Sequence, residues 1–147
     1  MSAEITPEMA TAAAAFVRSV IGMPWQSGAQ GPDAFDCWGL ARAAQRELFG
    51  YELPPVSVNA NHLRSVIEAI EGHAIRQEWH NVEIPAHGDL VTLARHDHPT
   101  HIGVYLAVDR GGLLHCARDV GVCFDHIQAL AWQGWARLRF LRRVVPT

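Results

Sequence analysis

The spacing of apolar residues changes about halfway along the 147-residue chain. Up to about Gly72 they recur three or four positions apart, as in amphipathic helices. Beyond it they alternate or form short blocks, as in strands. The first half therefore predicts three helices: one from Pro7 to about Ile21, one over residues 37–49, and one that Asn61 opens and Gly72 closes.

The second half predicts strands separated by turns. A weak strand candidate at Ala74–Glu78 precedes stronger ones. These are Asp89–Ala94, His101–Val108, Leu113–Cys116, Gly121–Phe124 and Arg137–Arg142. A tight hairpin turn is predicted at Asp109–Gly112, and a short helix or turn at Ile127–Trp132. Helices followed by antiparallel strands indicate an α+β fold, and the length suits a single domain over residues 1–147.

Composition and charge argue against several classes of protein. The net charge is −3 with no basic block, which argues against nucleic acid as a partner. No apolar run approaches the roughly 20 residues of a membrane span, so no membrane partner is expected. The N-terminus lacks the basic start of a secretory signal. We therefore expect the chain to be cytoplasmic when made.

The cysteines indicate free thiols. There are three, Cys37, Cys116 and Cys123, and an odd, sparse set does not build a disulfide framework. No Cys-x-x-Cys pair is present, so a structural zinc site of that kind is not predicted.

Cys37 is the candidate nucleophile because of its place in the chain. It falls in the first turn of a predicted helix, after a polar, glycine-rich loop at residues 26–33, and Asp36 is a natural N-cap. The positive end of a helix lowers a thiol pKa, and free N–H groups of the first turn can hold an oxyanion. The alternative is a small buried cysteine on a helix face. Cys116 lies on a strand, so we expect it to be a core or wall residue.

Two histidines complete a candidate catalytic set. His101 begins an apolar strand and His115 follows the next turn, so a cysteine, a histidine and a further polar residue occur in that order. Cysteine catalysis needs a base for the thiol proton and a third group that orients the base. His101 can be the base and His115 the orienter, although with nine histidines either can also be an ordinary core or surface residue.

The predicted hairpin conflicts with that set. A tight turn at Asp109–Gly112 would pair His115 with Leu106 or Ala107, about 16–20 Å along the strand from His101. The sheet must bend, with Gly103 as the candidate bend, or the hairpin must be irregular, or another residue orients His101.

Several short motifs occur in a recognisable order. They are Phe35-Asp36-Cys37-Trp38-Gly39-Leu40, Leu53-Pro54, Gly88-Asp89-Leu90, Thr100-His101-Ile102-Gly103-Val104-Tyr105-Leu106 and Leu114-His115. Together they resemble the NlpC-type cell-wall endopeptidases over most of the chain from Pro24 onward. The resemblance implies a papain-like fold with no metal and no other cofactor. It implies Cys37 as nucleophile, His101 as base and His115 as orienter, acting on stem peptides of bacterial peptidoglycan, often after D-glutamate.

Two tryptophans depart from the family pattern. Trp38 stands where secreted members usually have serine and resembles the versions encoded with bacteriophage tail genes. That resemblance implies tail proteins as partners and assembly into a virion, prophage-encoded or related particle. Trp25 stands where many relatives carry tyrosine. Trp25 and Trp38 can wall a substrate cleft or belong to the core, and Asp36 can bind a substrate amine or act only as the cap.

Three other interpretations remain open. The dense run from His96 to His101, with His87 and Asp89 nearby in sequence, can form a metallohydrolase site. The Cys–His pair can also serve an N-acetylmuramoyl amidase or another acyl transfer. The chain can equally be a non-catalytic structural or assembly subunit of a tail.

Overall fold

The computed structural model describes residues 5–53 and 78–144. Its helices are α1 (Pro7–Val20), α2 (Cys37–Phe49) and α3 (Ile127–Trp132). Its strands are β1 (Trp79–Val82), β2 (Leu90–Ala94), β3 (His101–Leu106), β4 (Gly112–Ala117), β5 (Gly121–Asp125) and β6 (Arg137–Arg143). The helix predicted between Asn61 and Gly72 lies outside the described residues, as does the weak strand candidate apart from Glu78.

All six strands join one antiparallel sheet in the order β1-β6-β2-β3-β4-β5. The strands from β2 to β5 follow one another as neighbours, whereas β6 returns to lie between β1 and β2. With α2 packed against β3 and β4, this confirms the predicted α+β, papain-like class. Within the described ranges, no helix is both long and apolar enough to cross a membrane.

Apolar side chains cover both faces of the sheet. On one face, Leu40 and Ala44 of α2 share a core with Val104 and Leu114. On the other, Leu130 of α3 packs with a second cluster that contains Val91, Leu93 and Leu113. All five residues of β2 are buried because both of its faces are covered.

Local signals set the helix ends as the sequence predicts. The Thr6 hydroxyl accepts from the Met9 N–H at 3.1 Å and caps α1. Gly50, in the left-handed region at φ 63°, ends α2.

An ion pair ties β6 to the turn before β2. Asp89 is 2% exposed and accepts from Arg142 Nε at 3.0 Å and Nη2 at 2.8 Å. It also accepts from the backbone N–H of Ala86 at 2.7 Å. Both oxygens of the Asp89 carboxylate thus accept hydrogen bonds where β6 pairs with β2.

Candidate active site

Asp36 builds the loop around Cys37. Its Oδ1 accepts from the Gly39 N–H at 2.6 Å, and its Oδ2 accepts from the Gly28 N–H at 3.0 Å. A side chain at Gly39 would collide with the carbonyl oxygen of Ala29. The glycine-rich loop therefore lies directly over the first turn of α2, and both Asp36 oxygens act in the cap.

Cys37 lies at the start of α2 and is only 2% exposed. Burial, followed by the charge of Asp36, raises the pKa of its thiol to about 12, although a hydrogen bond from the Ile102 N–H acts in the opposite direction. The expectation of a lowered pKa is therefore wrong, because desolvation outweighs the helix end. The thiol is neutral at rest and lies against β3, beside the residue that follows His101.

His101 and His115 are brought together on the sheet face that carries α3, whereas Cys37 meets the start of β3 from the α2 side, at the backbone of the adjacent residue Ile102. His101 Nε2 and His115 Nδ1 are 2.8 Å apart. The strand register explains the contact, because His115 pairs with Gly103, two residues from His101.

The tight-turn pairing predicted for the β3–β4 hairpin is wrong. Leu106 pairs with Gly112, and residues 107–111 form the connection. Asp109 and Arg110, with φ of 47° and 69°, form a tight turn in which the Gly111 N–H donates to the Val108 carbonyl at 2.8 Å. Because Leu106 pairs with Gly112, one extra residue, Ala107, stands on the β3 side of that turn, so the hairpin is irregular and longer than predicted. Of the three solutions offered by the sequence, this one removes the conflict.

Asp125 extends the histidine pair and was not predicted. Its Oδ2 lies 2.7 Å from His115 Nε2. The hydrogen bond with His115 is the main cause that lowers the pKa of Asp125 to about 2, and the Gln133 side chain adds a smaller contribution. Asp125 is therefore ionised over the physiological pH range and can only accept.

An ionised Asp125 determines which ring nitrogens of His115 and His101 carry hydrogen. Neutral His115 must carry its hydrogen on Nε2 to donate to Asp125, so its Nδ1 is an acceptor. His101 must then donate from Nε2 to His115 Nδ1. This assignment from the hydrogen-bond partners leaves His101 Nδ1 with a free lone pair, as a general base requires.

The surroundings of His101 keep it neutral. Burial is the main cause that lowers its pKa to about 3, with His115 and Arg95 contributing in the same direction. The Trp135 ring stacks on the imidazole at 5.1 Å between centroids and 12° between planes. Arg95 in turn lies 4.0 Å from the Trp135 ring centroid. Sequence reasoning missed Trp135, and its only signal was its place just after the predicted helix at 127–132.

The predicted substrate contacts fall in different environments. Trp38 is 4% exposed and belongs to the core beside α2, so its burial favours a packing role over a cleft wall. Trp25 is partly exposed, bridges to Phe35 and carries the Arg118 guanidinium 4.9 Å from its ring centroid. Trp25 therefore packs against the edge of the core cluster that contains Cys37 and keeps part of its surface exposed.

The other two cysteines take different places. Cys116 is 1% exposed and its Sγ donates to the Phe35 carbonyl at 3.2 Å, as expected of a wall residue. Cys123 is partly exposed. It pairs directly with His115 across β4 and β5, with Sγ 3.4 Å from His115 Nε2.

The alternative metal site of the sequence is not assembled in the described part of the chain. His96 and His98 are exposed on the β2–β3 loop. Among residues 5–53 and 78–144, the metal-type donors that come together are those of His115, Cys123 and Asp125, within 4.8 Å of one another.

The fold and the site define a class of protein. A cysteine at a helix N-terminus, packed on a sheet that carries a hydrogen-bonded histidine pair, is a cysteine–histidine site on a papain-like α+β domain. The sequence profile of the NlpC/P60 family matches residues 22–139. The chain belongs to the NlpC/P60 family.

Solved structures agree with this fold. The NlpC/p60 domain of the peptidoglycan hydrolase SagA matches with a TM-score of 0.55 and 20% identity, over 89% of this chain and 97% of that one. A lipoprotein-like NLP/P60 family protein from Staphylococcus aureus subsp. aureus Mu50 matches with a TM-score of 0.58 and 20% identity, over 99% of this chain and 44% of that one. A search of curated protein sequences found no match.

Proposed function

We propose that this chain is a cysteine peptidase that hydrolyses stem peptides of bacterial peptidoglycan. The observation that carries the proposal is the hydrogen-bonded series from Asp125 through His115 to His101, together with the hydrogen bond from the Ile102 N–H to the Cys37 thiol, one residue along β3 from His101. Membership of the NlpC/P60 family and the likeness to a domain of a peptidoglycan hydrolase support the choice of substrate. The family motifs favour the bond between γ-D-glutamate and the following diamino acid.

Acylation begins with a neutral thiol. His101 Nδ1 takes the proton from Cys37 as Sγ attacks the scissile carbonyl carbon. Charge develops on the carbonyl oxygen, and the Cys37 backbone N–H in the first turn of α2 can donate to it. The tetrahedral intermediate collapses as the His101 imidazolium protonates the leaving amine, which leaves a thioester on Cys37.

Deacylation uses the same groups. Water enters after the amine leaves, and His101 Nδ1 takes a water proton as the oxygen attacks the thioester. Collapse of this second intermediate expels Cys37, which recovers its proton, and releases the peptide carboxylate. His115 and Asp125 hold the proton on His101 Nε2 through both half-reactions, so that Nδ1 is free to receive a proton each time.

Burial determines how this site must work. Charge separation between Cys37 and His101 is disfavoured at rest, since their pKa values move to about 12 and about 3. The proton transfer is therefore coupled to attack on the substrate rather than completed beforehand. A neutral resting thiol also reacts slowly with solvent oxidants.

The decisive experiment is digestion of purified peptidoglycan by wild type and by Cys37→Ala. We expect fragments that end in γ-D-glutamate, identified by mass spectrometry, with the wild type alone. Cys116→Ala is the matched control, because it removes an equally buried thiol from the same wall and should retain most activity. Thermal melting of Cys37→Ala close to that of the wild type excludes unfolding as the cause.

The other outcomes select other functions. Release of intact stem peptides from the glycan would mean an amidase on the same nucleophile. Fragments that persist with Cys37→Ala would refute Cys37 as nucleophile. An inactive wild type on every wall type would favour the non-catalytic tail subunit.

Tail association is a second part of the proposal and rests on Trp38, which follows Cys37 as in members encoded with phage tail genes. The chain would be made in the cytoplasm and carried to the wall on a tail-like particle. In sedimented lysates of an induced host we expect the chain in the particle fraction. Its presence only in the particle-free supernatant would refute this part and leave the enzymatic proposal standing.

A further inference from the structure

We infer that His115, Cys123 and Asp125 form a binding site for a divalent transition metal ion, Zn²⁺ in particular, and that the bound ion switches off hydrolysis. The binding site stands on the donor geometry alone. The inhibitory effect rests on the proposed peptidase mechanism. The ion is a regulator in this inference and takes no part in the reaction.

The donor separations approach those of a tetrahedral zinc site. Zinc bonds of about 2.0 Å to nitrogen or oxygen and 2.3 Å to sulfur place N and S about 3.5 Å apart, and N and O about 3.3 Å apart. His115 Nε2 lies 3.4 Å from Cys123 Sγ and 2.7 Å from Asp125 Oδ2. The partly exposed Asp125 carboxylate needs only a small outward rotation to admit the ion.

The donor types select the metal. One thiolate, one imidazole and one carboxylate suit zinc and similar transition metals, whereas magnesium and calcium prefer oxygen ligands alone. Three protein donors leave a fourth position for water. No sequence motif pointed to this set, because its members come from two strands and are separated by a turn.

The strand pairing holds the donor residues in place, and one side of the site is open to solvent. His115 is fully buried, with 0% exposure, and pairs directly with Cys123 across β4 and β5. Cys123 and Asp125 are partly exposed, so an ion can enter from their side. His101 holds the other ring nitrogen of His115 at 2.8 Å, in the way that an outer partner commonly orients a metal-bound histidine.

Metal binding moves the hydrogen of each of the two histidines to its other ring nitrogen. Cys123 loses its thiol proton to solvent, and His115 must give the Nε2 lone pair to the ion. The hydrogen of neutral His115 then sits on Nδ1 and is donated to His101 Nε2. His101 in turn must carry its hydrogen on Nδ1, so it cannot take the proton of Cys37. The ion thus blocks the base without contacting the nucleophile.

Binding is tested first on tag-free Cys37→Ala protein, without thiol reductants. Calorimetric titration with Zn²⁺ should show one tight site per chain, although the proposed nucleophile is gone. Co²⁺ should produce a thiolate-to-cobalt charge-transfer band. Adding Cys123→Ala to the same protein should abolish the band and weaken zinc binding by about 10- to 100-fold, the usual cost of disturbing a metal site.

Inhibition is tested on protein that keeps Cys37. The rate of each protein, wild type and Cys123→Ala, with Zn²⁺ is compared with its own rate in metal-free buffer, because Cys123 contacts His115 at 3.4 Å and its removal can change the basal rate. Zn²⁺ should lower kcat of the wild type, and about tenfold more ion should be needed for the variant.

Each contrary result overturns a defined part of the inference. Absence of tight binding to Cys37→Ala, or equal binding after Cys123→Ala is added, removes the site. Tight binding with an uninhibited wild type removes the switch. If no preparation hydrolyses peptidoglycan, the proposed function fails while the calorimetry still decides the site.

Discussion

Asp125 determines which nitrogen of His101 is basic. Its carboxylate keeps the hydrogen of His115 on Nε2, and the 2.8 Å contact then requires His101 to donate from its own Nε2. Without that charge, His115 can donate from Nδ1 instead, and His101 becomes protonated at the nitrogen that should accept. The effect is on orientation and tautomer, since Asp125 does not touch the reacting atoms.

Replacing Asp125 with asparagine should lower kcat roughly 100-fold, the lower bound for losing a general base. KM should change little, because the substitution removes no substrate contact. Steady-state hydrolysis of a stem-peptide substrate separates the two parameters. Asp119→Asn, in the exposed turn after β4, is the control and should behave as wild type. An Asp125→Asn enzyme with normal kcat would show that the carboxylate does not set the tautomer.

For single residues, motifs and chain order pointed to the proposed nucleophile, its base and the histidine that orients the base, and missed Asp125 and Trp135, which support them. Cys37 could be placed because a loop, a cap and a helix start are local signals. The contacts of Asp125 and Trp135 with the histidines depend on the β4–β5 register and on the return of the chain after α3. Neither the register nor the return of the chain can be predicted from a short stretch of sequence. The depth to which Cys37 is buried could not be predicted for the same reason.

Among the elements, the β3–β4 hairpin sets the distance between the two histidines. Gly103 faces His115 across the pair. A Cβ there would lie 2.7 Å from the Leu114 carbonyl oxygen and 2.8 Å from Leu113 Cδ1. The glycine therefore allows close approach of the strands, and the bend considered for it is not needed.

Gly103→Ala should force β3 and β4 apart and cost about 1–3 kcal/mol in the free energy of unfolding, as overpacking does. Because the same strands carry His101 and His115, kcat should fall as well. Val104→Ala, on the opposite face, is the matched control, with a cavity cost of the order of 2 kcal/mol and an unchanged kcat in the folded protein. Urea denaturation measures the free energy of unfolding, and activity assays measure kcat. If Gly103→Ala and Val104→Ala have equal kcat values, the spacing of the hairpin does not affect catalysis.

His87 joins the turn before β2 to the hairpin connection. Its Nδ1 accepts from the Ala107 N–H at 2.9 Å, and its ring makes a T-shaped contact with the Phe49 ring, with 5.1 Å between the centroids. Burial lowers its pKa from the usual 6.5. Below about 6.5 the unfolded chain therefore binds a proton that the folded chain does not, so stability falls as the pH falls.

The wild type should accordingly lose thermal stability between pH 7.5 and 5.5. Buried His101 acts in the same direction, so the informative quantity is the difference between variants. His87→Gln keeps an acceptor for Ala107 and should flatten the pH dependence of Tm. His98→Gln, on an exposed loop, should leave it as in the wild type. If Tm depends on pH with the same slope in all three proteins, His87 does not contribute to the pH dependence of stability.

Alternating patterns predicted most strand positions, since they reflect which side of a strand is buried. They could not predict the connection at residues 107–111, where Asp109 and Arg110 adopt the left-handed region without the usual glycine. They also could not place β6 between β1 and β2, because alternation does not specify a neighbour.

In the molecule as a whole, the pair of Asp89 and Arg142 holds β6 in place. Arg142→Met should leave a carboxylate that is 3% exposed without its partner. We expect a loss of about 3 kcal/mol, at the lower end for a broken buried pair because Arg142 is partly exposed. Urea denaturation measures it. Arg137→Met, which removes an exposed contact with Asp97, should cost less than about 0.5 kcal/mol, and equal losses would refute the anchoring role.

The late entry of β6 has a consequence for how the chain assembles during synthesis. Leu90 of β2 pairs with Leu141 of β6, so this contact waits for a long stretch of nascent chain, whereas each neighbour from β2 to β5 is made by the next strand. Until β6 arrives, β1 lacks its partner and β2 presents an unpaired edge on which another chain can add. His101, His115 and Asp125 all lie within the early segment. Their hydrogen bonds can form before the sheet closes, and the most aggregation-prone moment comes after the site is assembled.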